Sequence, residues 1–398
     1  MKKRKASLAV IFLTVFIDLL GFGILIPILP TFASNVIGIS DFGIGVIVAS
    51  YSLMQFSFNP LIGKISDRIG RRPVILVSLT TTVISYLIFS FSTTFAILLF
   101  SRLLAGIGGS NIGAAQAYIA DITDKSDRSK GMGLIGAAFG LGFVFGPVLG
   151  GLISEYGYQY VGFASAGFSF CALIFALFFL PESIKEKTPL NNFNYSLIRK
   201  DDILELRSNP NVLFFIGLFF VIIFAVANIY GTFALLGHQY FGFSDRENGY
   251  LFGIMGIVGA TVQGYLLKKM SIYIIDKYLI IIGLFLMMIS LTLIPYGINF
   301  TGVAIISGVL AIGTGILQPT ILSLISEYSS SESQGKILGL NQSISSLARV
   351  LGPLWGGFAF QYLGYESPFI TGGLFTLVTL VFTIYIFKSK NSRININV

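Results

Sequence analysis

Asp18 is a carboxylate inside a long apolar run, where a charge is costly. The run ends at Pro27 and Pro30, and Asp18 is the only carboxylate that we place deep within such a run. If the run crosses a bilayer, a charged aspartate near its centre costs roughly 2.5–3.5 kcal/mol on insertion scales. An apolar setting favours the neutral form, so such a group can load and release a proton near neutral pH. Asp18 is therefore a candidate proton carrier; the alternative is a structural acid, hydrogen-bonded between helices.

A second ionisable group, Arg102, lies about two helical turns inside another apolar run. A guanidinium keeps its charge in proteins, so it must face a cavity, water or an anionic partner. Steps of three and four residues place it on one helix face with Gly106, Gly109, Gly113 and Gln116. One hypothesis is that Arg102 modulates the proton affinity of Asp18. The alternative is that it extends to the membrane–water interface.

A charged segment follows the second apolar run. Its ordered glycines, acid and arginines are Gly63, Asp67, Arg68, Gly70, Arg71 and Arg72. The glycines allow tight turns, and an aspartate at the start of a helix can cap it. We expect a loop whose Asp67 caps the next helix and whose arginines bridge to Asp121, forming a latch that holds one conformation. The alternative is an ordinary basic loop beside a membrane.

A glycine-rich stretch extends from residue 136 to residue 151. Small residues that recur every four positions permit close contact between helices in a membrane. A proline within the stretch removes one backbone hydrogen bond and bends the helix. The residues that we assign to this candidate hinge are Gly142, Gly146, Pro147, Gly150 and Gly151.

The elements that carry these residues follow from composition. The chain has 398 residues, of which 54% are hydrophobic and 11% charged, whereas soluble domains are about 25% charged. About twelve apolar runs reach the roughly 20 residues that a bilayer-spanning helix needs. Because they are long and continuous, they favour helices over a barrel. We predict spans at 8–31, 43–63, 73–92, 95–120, 131–153, 160–180, 211–235, 247–267, 277–296, 300–325, 336–362 and 367–387.

The distribution of basic residues predicts orientation. Of the 26 lysines and arginines, all but Arg102, Arg246 and Arg349 fall on the side that carries both termini. The positive-inside rule therefore places both termini in the cytoplasm. Charges spread over many loops argue against nucleic acid as a partner. One cysteine and one histidine exclude a disulfide framework and a metal site built from those residues, so we predict no metal.

The second half of the chain repeats part of the first. Gly146-Pro147 followed by Gly150-Gly151 recurs as Gly352-Pro353 followed by Gly356-Gly357, an offset of 206 residues. Such duplication is how secondary transporters build a site between two halves. We predict two pseudo-symmetric six-helix bundles, at 1–180 and 211–398, joined by a cytoplasmic linker at 181–210.

A substrate cavity needs a few polar groups in an apolar wall. Each candidate, taken alone, is more often a helix–helix hydrogen bond or lipid-facing packing than a substrate contact. The candidates are Gln55, Asn111, Gln116, Asn228, Tyr230, Phe233, Gln263, Gln318, Gln342, Arg349 and Trp355.

Together these motifs resemble the major facilitator superfamily, and within it the twelve-helix drug:proton antiporters and their tetracycline-exporter branch. The resemblance rests on the segment from Gly63 to Arg72, on Arg102 with Gly106, on the run from Gly136 to Gly151, and on two short segments. Those segments are Ala117-Tyr118-Ile119-Ala120-Asp121-Ile122-Thr123 and Leu180-Pro181-Glu182-Ser183. The resemblance implies alternating access, proton coupling through Asp18 and Arg102, and a hinge at Gly146 and Pro147. In the second half the counterpart of the charged segment is reduced to Gly264, Lys268 and Lys269, without an acid.

We therefore expect a proton-coupled exporter of small amphipathic compounds or drugs in the cell membrane. Its partners would be a small-molecule substrate and the lipid bilayer, with the proton as coupling ion, no other cofactor, and a monomeric state. A sugar or metabolite exporter, or an uncoupled facilitator, is the alternative on the same fold. A membrane enzyme or receptor is disfavoured, because the sequence shows no nucleophile–base pair, metal cluster or sensor domain.

Overall fold

All regular secondary structure in the described part of the chain is helical. The computed structural model describes residues 2–124, 128–184, 209–330 and 334–388. In a bilayer every backbone polar group must be bonded internally, and a helix does this within one segment. The helices of the first half are α1 (Lys2–Leu25), α2 (Ile28–Asn35), α3 (Asp41–Ile69), α4 (Arg71–Ser90), α5 (Phe95–Gly108), α6 (Ile112–Ile122), α7 (Arg128–Ser154) and α8 (Tyr158–Phe179).

In the second half, the described residues form eight further helices. In the first half, a short 3₁₀ turn, Gly109–Asn111, joins α5 to α6. In the second half, a π-helical segment, Val262–Leu266, interrupts the span that begins at Asp245. The helices are α9 (Pro210–Ile229), α10 (Thr232–Gln239), α11 (Asp245–Thr261), α12 (Leu267–Tyr273), α13 (Asp276–Leu293), α14 (Phe300–Glu327), α15 (Gln334–Tyr362) and α16 (Ser367–Lys388).

Consecutive helices combine into membrane spans. Within the described residues, eleven helical spans are long and apolar enough to cross a bilayer. Helix α15 has 29 residues and covers the remaining predicted run. The prediction of an all-α, multi-pass membrane protein is therefore confirmed. Several spans are broken where one continuous helix was expected, for example after Leu25, where Pro27 precedes α2.

The helices form two compact units. Unit 1 consists of Met1–Ile39, Ser50–Tyr195 and Gly242–Gly253, and unit 2 of Ser40–Ala49, Ser196–Phe241 and Ile254–Val398. The start of α3 thus belongs to unit 2 and the start of α11 to unit 1. Most of the predicted linker 181–210 lies outside the described residues.

Within unit 1, α1 and α7 touch through their backbones. A Cβ atom placed on Gly146 would lie 2.6 Å from the Gly23 Cα, and one placed on Gly142 would lie 2.9 Å from the Leu19 Cβ. Gly150 meets the carbonyl of Ile24 in the same way. Real side chains do not approach this closely, so these positions allow only glycine without a shift of α1. We call this contact the α1–α7 seam.

Unit 2 contains the repeated version of this seam, between α9 and α15. A Cβ atom on Gly352 would lie 2.8 Å from both the Ala227 Cβ and the Asn228 nitrogen, and Gly356 meets the carbonyl of Asn228. The duplicated glycines therefore pack against matching helices in the two units. The 206-residue sequence repeat therefore corresponds to the same helix–helix contact in both units.

Substitution of Gly146 by alanine should destabilise unit 1. The added methyl group overlaps the α1 backbone, and overpacking of this kind costs about 1–3 kcal/mol. Gly136→Ala is a matched control on the same helix, because no atom lies within 4 Å of the added methyl. The thermal midpoint of detergent-purified protein should fall for Gly146→Ala and remain near wild type for Gly136→Ala. Equal midpoints for the two variants would contradict the seam.

Candidate functional site

Asp18 lies about two turns before the end of α1 and is almost completely buried, with 8% of its surface exposed. Ser169 Oγ, on α8, donates a hydrogen bond to Asp18 Oδ1 at 2.8 Å. Asn111 Nδ2 donates to Asp18 Oδ2 at 3.4 Å. Both carboxylate oxygens therefore have neutral donors from distant parts of the chain, which compensates in part for the cost of burying the charge.

The position of Asn111 depends on the break in its span. Asn111 ends the 3₁₀ turn that joins α5 to α6. Gln55 Nε2, on α3, donates to the Gly109 carbonyl and to the Tyr51 hydroxyl, both at 3.0 Å. Gln55 therefore occupies a carbonyl of the turn that presents Asn111 to Asp18. The predicted cavity residues Gln55 and Asn111 thus lie close to the Asp18 centre.

Arg102, on α5, is even more deeply buried, with 3% of its surface exposed. Its Cζ lies 5.7 Å from the centroid of the Tyr86 ring and 5.9 Å from that of Phe89, so the cation lies against two aromatic faces. Among the described residues no ion pair joins Arg102 to Asp18. The structure thus brings the two predicted coupling residues into one unit without a direct salt bridge.

The charged segment differs from the predicted loop. Helix α3 continues through Gly63, Asp67 and Arg68 to Ile69, so most of the segment is helical. The connection is a single residue, Gly70, whose φ of 118° lies in the left-handed region that glycine tolerates. The expectation that Asp67 caps the next helix is wrong, because α3 extends past it and Asp67 instead pairs with the side chain of Arg71.

The arginine that bridges to Asp121 is Arg71; its role as a latch stays a prediction. Its Nη1 lies 2.5 Å from Asp67 Oδ1, and its Nε donates to Asp121 Oδ2 at 3.2 Å. Ser66 Oγ accepts a further hydrogen bond from Nη1 at 2.6 Å. The side chain thus connects the end of α3 to the end of α6. Arg72 has a different contact, a hydrogen bond from Nη2 to the Leu177 carbonyl on α8.

Glu182 performs the capping role that sequence reasoning gave to Asp67. Its carboxylate accepts from the backbone N–H groups of Arg71, at 2.9 Å, and Arg72, at 3.2 Å. An acid at a helix N-terminus satisfies unbonded donors and complements the helix dipole. Next to it, Ser183 Oγ donates to Asp121 at 2.8 Å. The sequence did contain a signal for this role: the segment Leu180–Ser183 is one of those that carry the family resemblance, although it predicted no cap.

The end of the glycine-rich helix α7 has its own contact. A Cβ atom on Gly151 would lie 2.7 Å from the carbonyl of Asp245 at the start of α11, which belongs to unit 1. Arg246 Nη1 and Glu155 Oε1 form an exposed ion pair at 3.3 Å. Gly142, Gly146 and Gly150 face α1, whereas Gly151 faces α11. The hinge function of this helix remains a prediction.

The other predicted cavity residues of unit 1 and unit 2 have mixed environments. Asn228 is fully buried and bonds the carbonyl of Pro368, so it joins two helices. Arg349 Nη2 donates to Ser346 Oγ at 3.0 Å and interacts electrostatically with Tyr230. Trp355 Nε1 donates to Thr371. Phe233 is buried, Gln318 is partly buried, and the exposed amides are Gln116, Gln263 and Gln342. As substrate contacts, all of these residues remain predictions.

Known proteins resemble the chain over nearly its whole length. A family model described as Major Facilitator Superfamily matches residues 11–275 and 273–396. Multidrug resistance protein 2 of Bacillus subtilis (strain 168) is 29% identical, over 99% of this chain and 98% of the relative. Tetracycline resistance protein, class C, of Escherichia coli is 31% identical, over 88% of this chain and 89% of the relative. These matches confirm the predicted resemblance to the superfamily and its drug-exporter branch.

A solved structure supports the same assignment. The crystal structure of the human organic anion transporter MFSD10 (TETRAN) has a TM-score of 0.69 and 26% identity, and the match covers 96% of this chain and 99% of that chain. The relatives are transporters and resistance proteins, and none of them is described as an enzyme.

Replacement of Glu182 by alanine should expose the start of α4. Loss of a capping side chain typically costs about 0.5–2 kcal/mol. Amide hydrogen exchange in the first turn of α4 should accelerate, while exchange in the middle of the helix stays unchanged. Ser183→Ala, which removes the bond to Asp121 but leaves the cap, is the matched control. If Glu182→Ala leaves exchange at Arg71 and Arg72 unaltered, the capping assignment is incorrect.

Proposed function

Because the chain belongs to the Major Facilitator Superfamily, we propose that this membrane transporter exports small amphipathic organic compounds in exchange for protons. The observation that carries the proposal is the environment of Asp18. A carboxylate buried in a membrane helix is costly and is functional by default. Its bonds to Ser169 and Asn111 come from neutral groups, so both the ionised and the protonated side chain can be accommodated.

The energetics of exchange are adequate. Inward movement of one positive charge releases roughly 2.3 kcal/mol per 100 mV of membrane potential. A proton taken up by Asp18 from outside and released inside can therefore drive modest export against a gradient. We also propose that both termini lie in the cytoplasm of a cell expressing the transporter, because the basic residues cluster on their side.

Two observations support amphipathic compounds as substrates. The relatives named for multidrug and tetracycline resistance span almost the whole chain. The candidate cavity residues are mainly amides and aromatic rings, which suit molecules with large apolar surfaces and a few polar groups. Tetracycline is one candidate within this class.

Organic anions form a second candidate class. The specific observation is Arg349, a cation in the middle of the 29-residue helix α15 beside Tyr230 and Ser346. The similar human protein is described as an organic anion transporter. A sugar or metabolite exporter, or an uncoupled facilitator, remains a further alternative on this fold.

Transport assays in vesicles test the proposal. Everted membrane vesicles with an imposed pH gradient, acidic inside, should accumulate at least one compound from a panel of tetracycline, ethidium, a carboxylated dye and a nucleoside. Asp18→Asn should abolish gradient-driven accumulation, because an amide cannot carry the proton. It should retain exchange of substrate at equal pH, because the amide oxygen can still accept the bond from Ser169.

Glu155→Gln provides a control, because it neutralises an exposed carboxylate of unit 1 whose side chain is half accessible. This variant should accumulate substrate like wild type. Gradient-driven accumulation by Asp18→Asn at the wild-type level would exclude the coupling role. If wild-type vesicles transport substrate equally with and without the pH gradient, the protein is an uncoupled facilitator.

A further inference from the structure

Tyr86 lies against Arg102 and close to the turn of α1 that follows Asp18. It extends from α4, and only 2% of its surface is exposed. The guanidinium of Arg102 lies over its ring at 5.7 Å, and its hydroxyl interacts electrostatically with both Arg102 and the Asp18 carboxylate. Tyr51, on α3, whose hydroxyl accepts a hydrogen bond from Gln55, also interacts electrostatically with Arg102. No motif in the sequence had indicated Tyr86.

A glycine on α1 makes room for this arrangement. Gly21 follows Asp18 by one helical turn. A Cβ atom on Gly21 would lie 3.5 Å from Tyr86 Cε2 and 3.2 Å from Ser169 Oγ. The edge of the Tyr86 ring therefore approaches the turn of α1 that carries Asp18, beside the serine that already bonds the carboxylate.

Two nitrogen atoms of the Arg102 guanidinium have no hydrogen-bond acceptor in the described structure. Its Nε and Nη2 atoms are completely buried and make no hydrogen bond within the described structure. A buried, charged donor without an acceptor is expensive, so a small rearrangement that supplies an acceptor is favoured. Phe89, the other ring against Arg102, has no acceptor atom. A phenol oxygen can accept from a guanidinium while its O–H group donates to a carboxylate.

We propose that Tyr86 is a positioning residue that links Arg102 to Asp18, accepting a hydrogen bond from the guanidinium and donating one to the ionised carboxylate. The link transmits the charge of Arg102 without a salt bridge. When Asp18 takes up a proton, the charge that holds the phenol O–H disappears, and the link to Arg102 weakens. This inference rests on the proposed function only in treating Asp18 as the proton-binding group.

Infrared titration of the purified protein tests the link without any substrate. The carboxyl C=O band of Asp18 is the band that appears on acidification of wild type and is absent from Asp18→Asn. Tyr86→Phe keeps the ring against Arg102 but removes the hydroxyl. Its Asp18 titration midpoint should differ from wild type by about one pH unit, because a hydrogen bond to a charged group is worth at least that much.

Three further variants separate a link from a packing effect. Arg102→Gln should move the midpoint in the same direction, and the double variant with Tyr86→Phe should move it no further than the larger single change. Tyr118→Phe is the matched control, because it removes the hydroxyl of another fully buried tyrosine of unit 1. It should leave the midpoint at the wild-type value.

The outcomes distinguish this inference from the proposed function. If Asp18 titrates but Tyr86→Phe leaves its midpoint unchanged, or if the two single changes simply add, the link is wrong and proton coupling by Asp18 stands. If no Asp18 band titrates at all, the proposed function itself fails. Should Tyr86→Phe not fold, Arg102→Gln alone decides, because an unchanged midpoint in that variant overturns the link.

Discussion

The backbone contact between α1 and α7 determines where a polar centre can exist in unit 1. Lipid tails are as apolar as leucine, so helices in a bilayer are held together mainly by close packing. Gly23 faces α7 in this contact. Asp18 precedes it by five residues, which is about 140° around the helix at 3.6 residues per turn. The seam therefore directs Asp18 away from α7 and toward the donors of α8 and of the turn before α6.

The same constraint operates in unit 2 with a different chemical result. Gly146 meets Gly23 and Ile24, and Gly352 meets Ala227 and Asn228, so positions on α1 and α9 correspond at an offset of 204 residues. The counterpart of Asp18 is then Ile222, which is buried and apolar. The duplicated seam is a packing device that both units share. The proton-binding chemistry that we propose is an addition to one of them.

Sequence reasoning found features that are local or carry an intrinsic cost. Asp18 and Arg102 stood out because a charge in an apolar run needs an explanation, and the bridge from Arg71 to Asp121 followed from opposite charges at the ends of helices. Ser169 and Asn111 were harder. Ser169 was not identified, and Asn111 was identified only as one amide among several. Their bonds to Asp18 join residues separated by 151 and 93 positions. Helical periodicity in the sequence cannot indicate contacts between residues so far apart in the chain.

The errors at the charged segment have a related cause. Gly63 and Asp67 have the composition of a turn, yet α3 continues through both because Gly70 supplies the one positive φ that the connection needs. With the turn reduced to one residue, Asp67 near the end of α3 lies beside Arg71 at the start of α4 and pairs with it. The cap of α4 must then come from elsewhere in the chain. Glu182 provides it from a segment more than 100 residues away.

The separation of Asp18 from Arg102 is consistent with a carrier that must hold and release a proton. A direct salt bridge would keep the carboxylate ionised, because an opposite charge within about 4–6 Å strongly favours the charged form. Burial without partners would keep it neutral. Asp18 has neutral donors from Ser169 and Asn111 and, in the described structure, no ion pair with Arg102, so its environment lies between these extremes. Such an environment has neither of the two features that would fix the protonation state, as the proposed proton exchange requires.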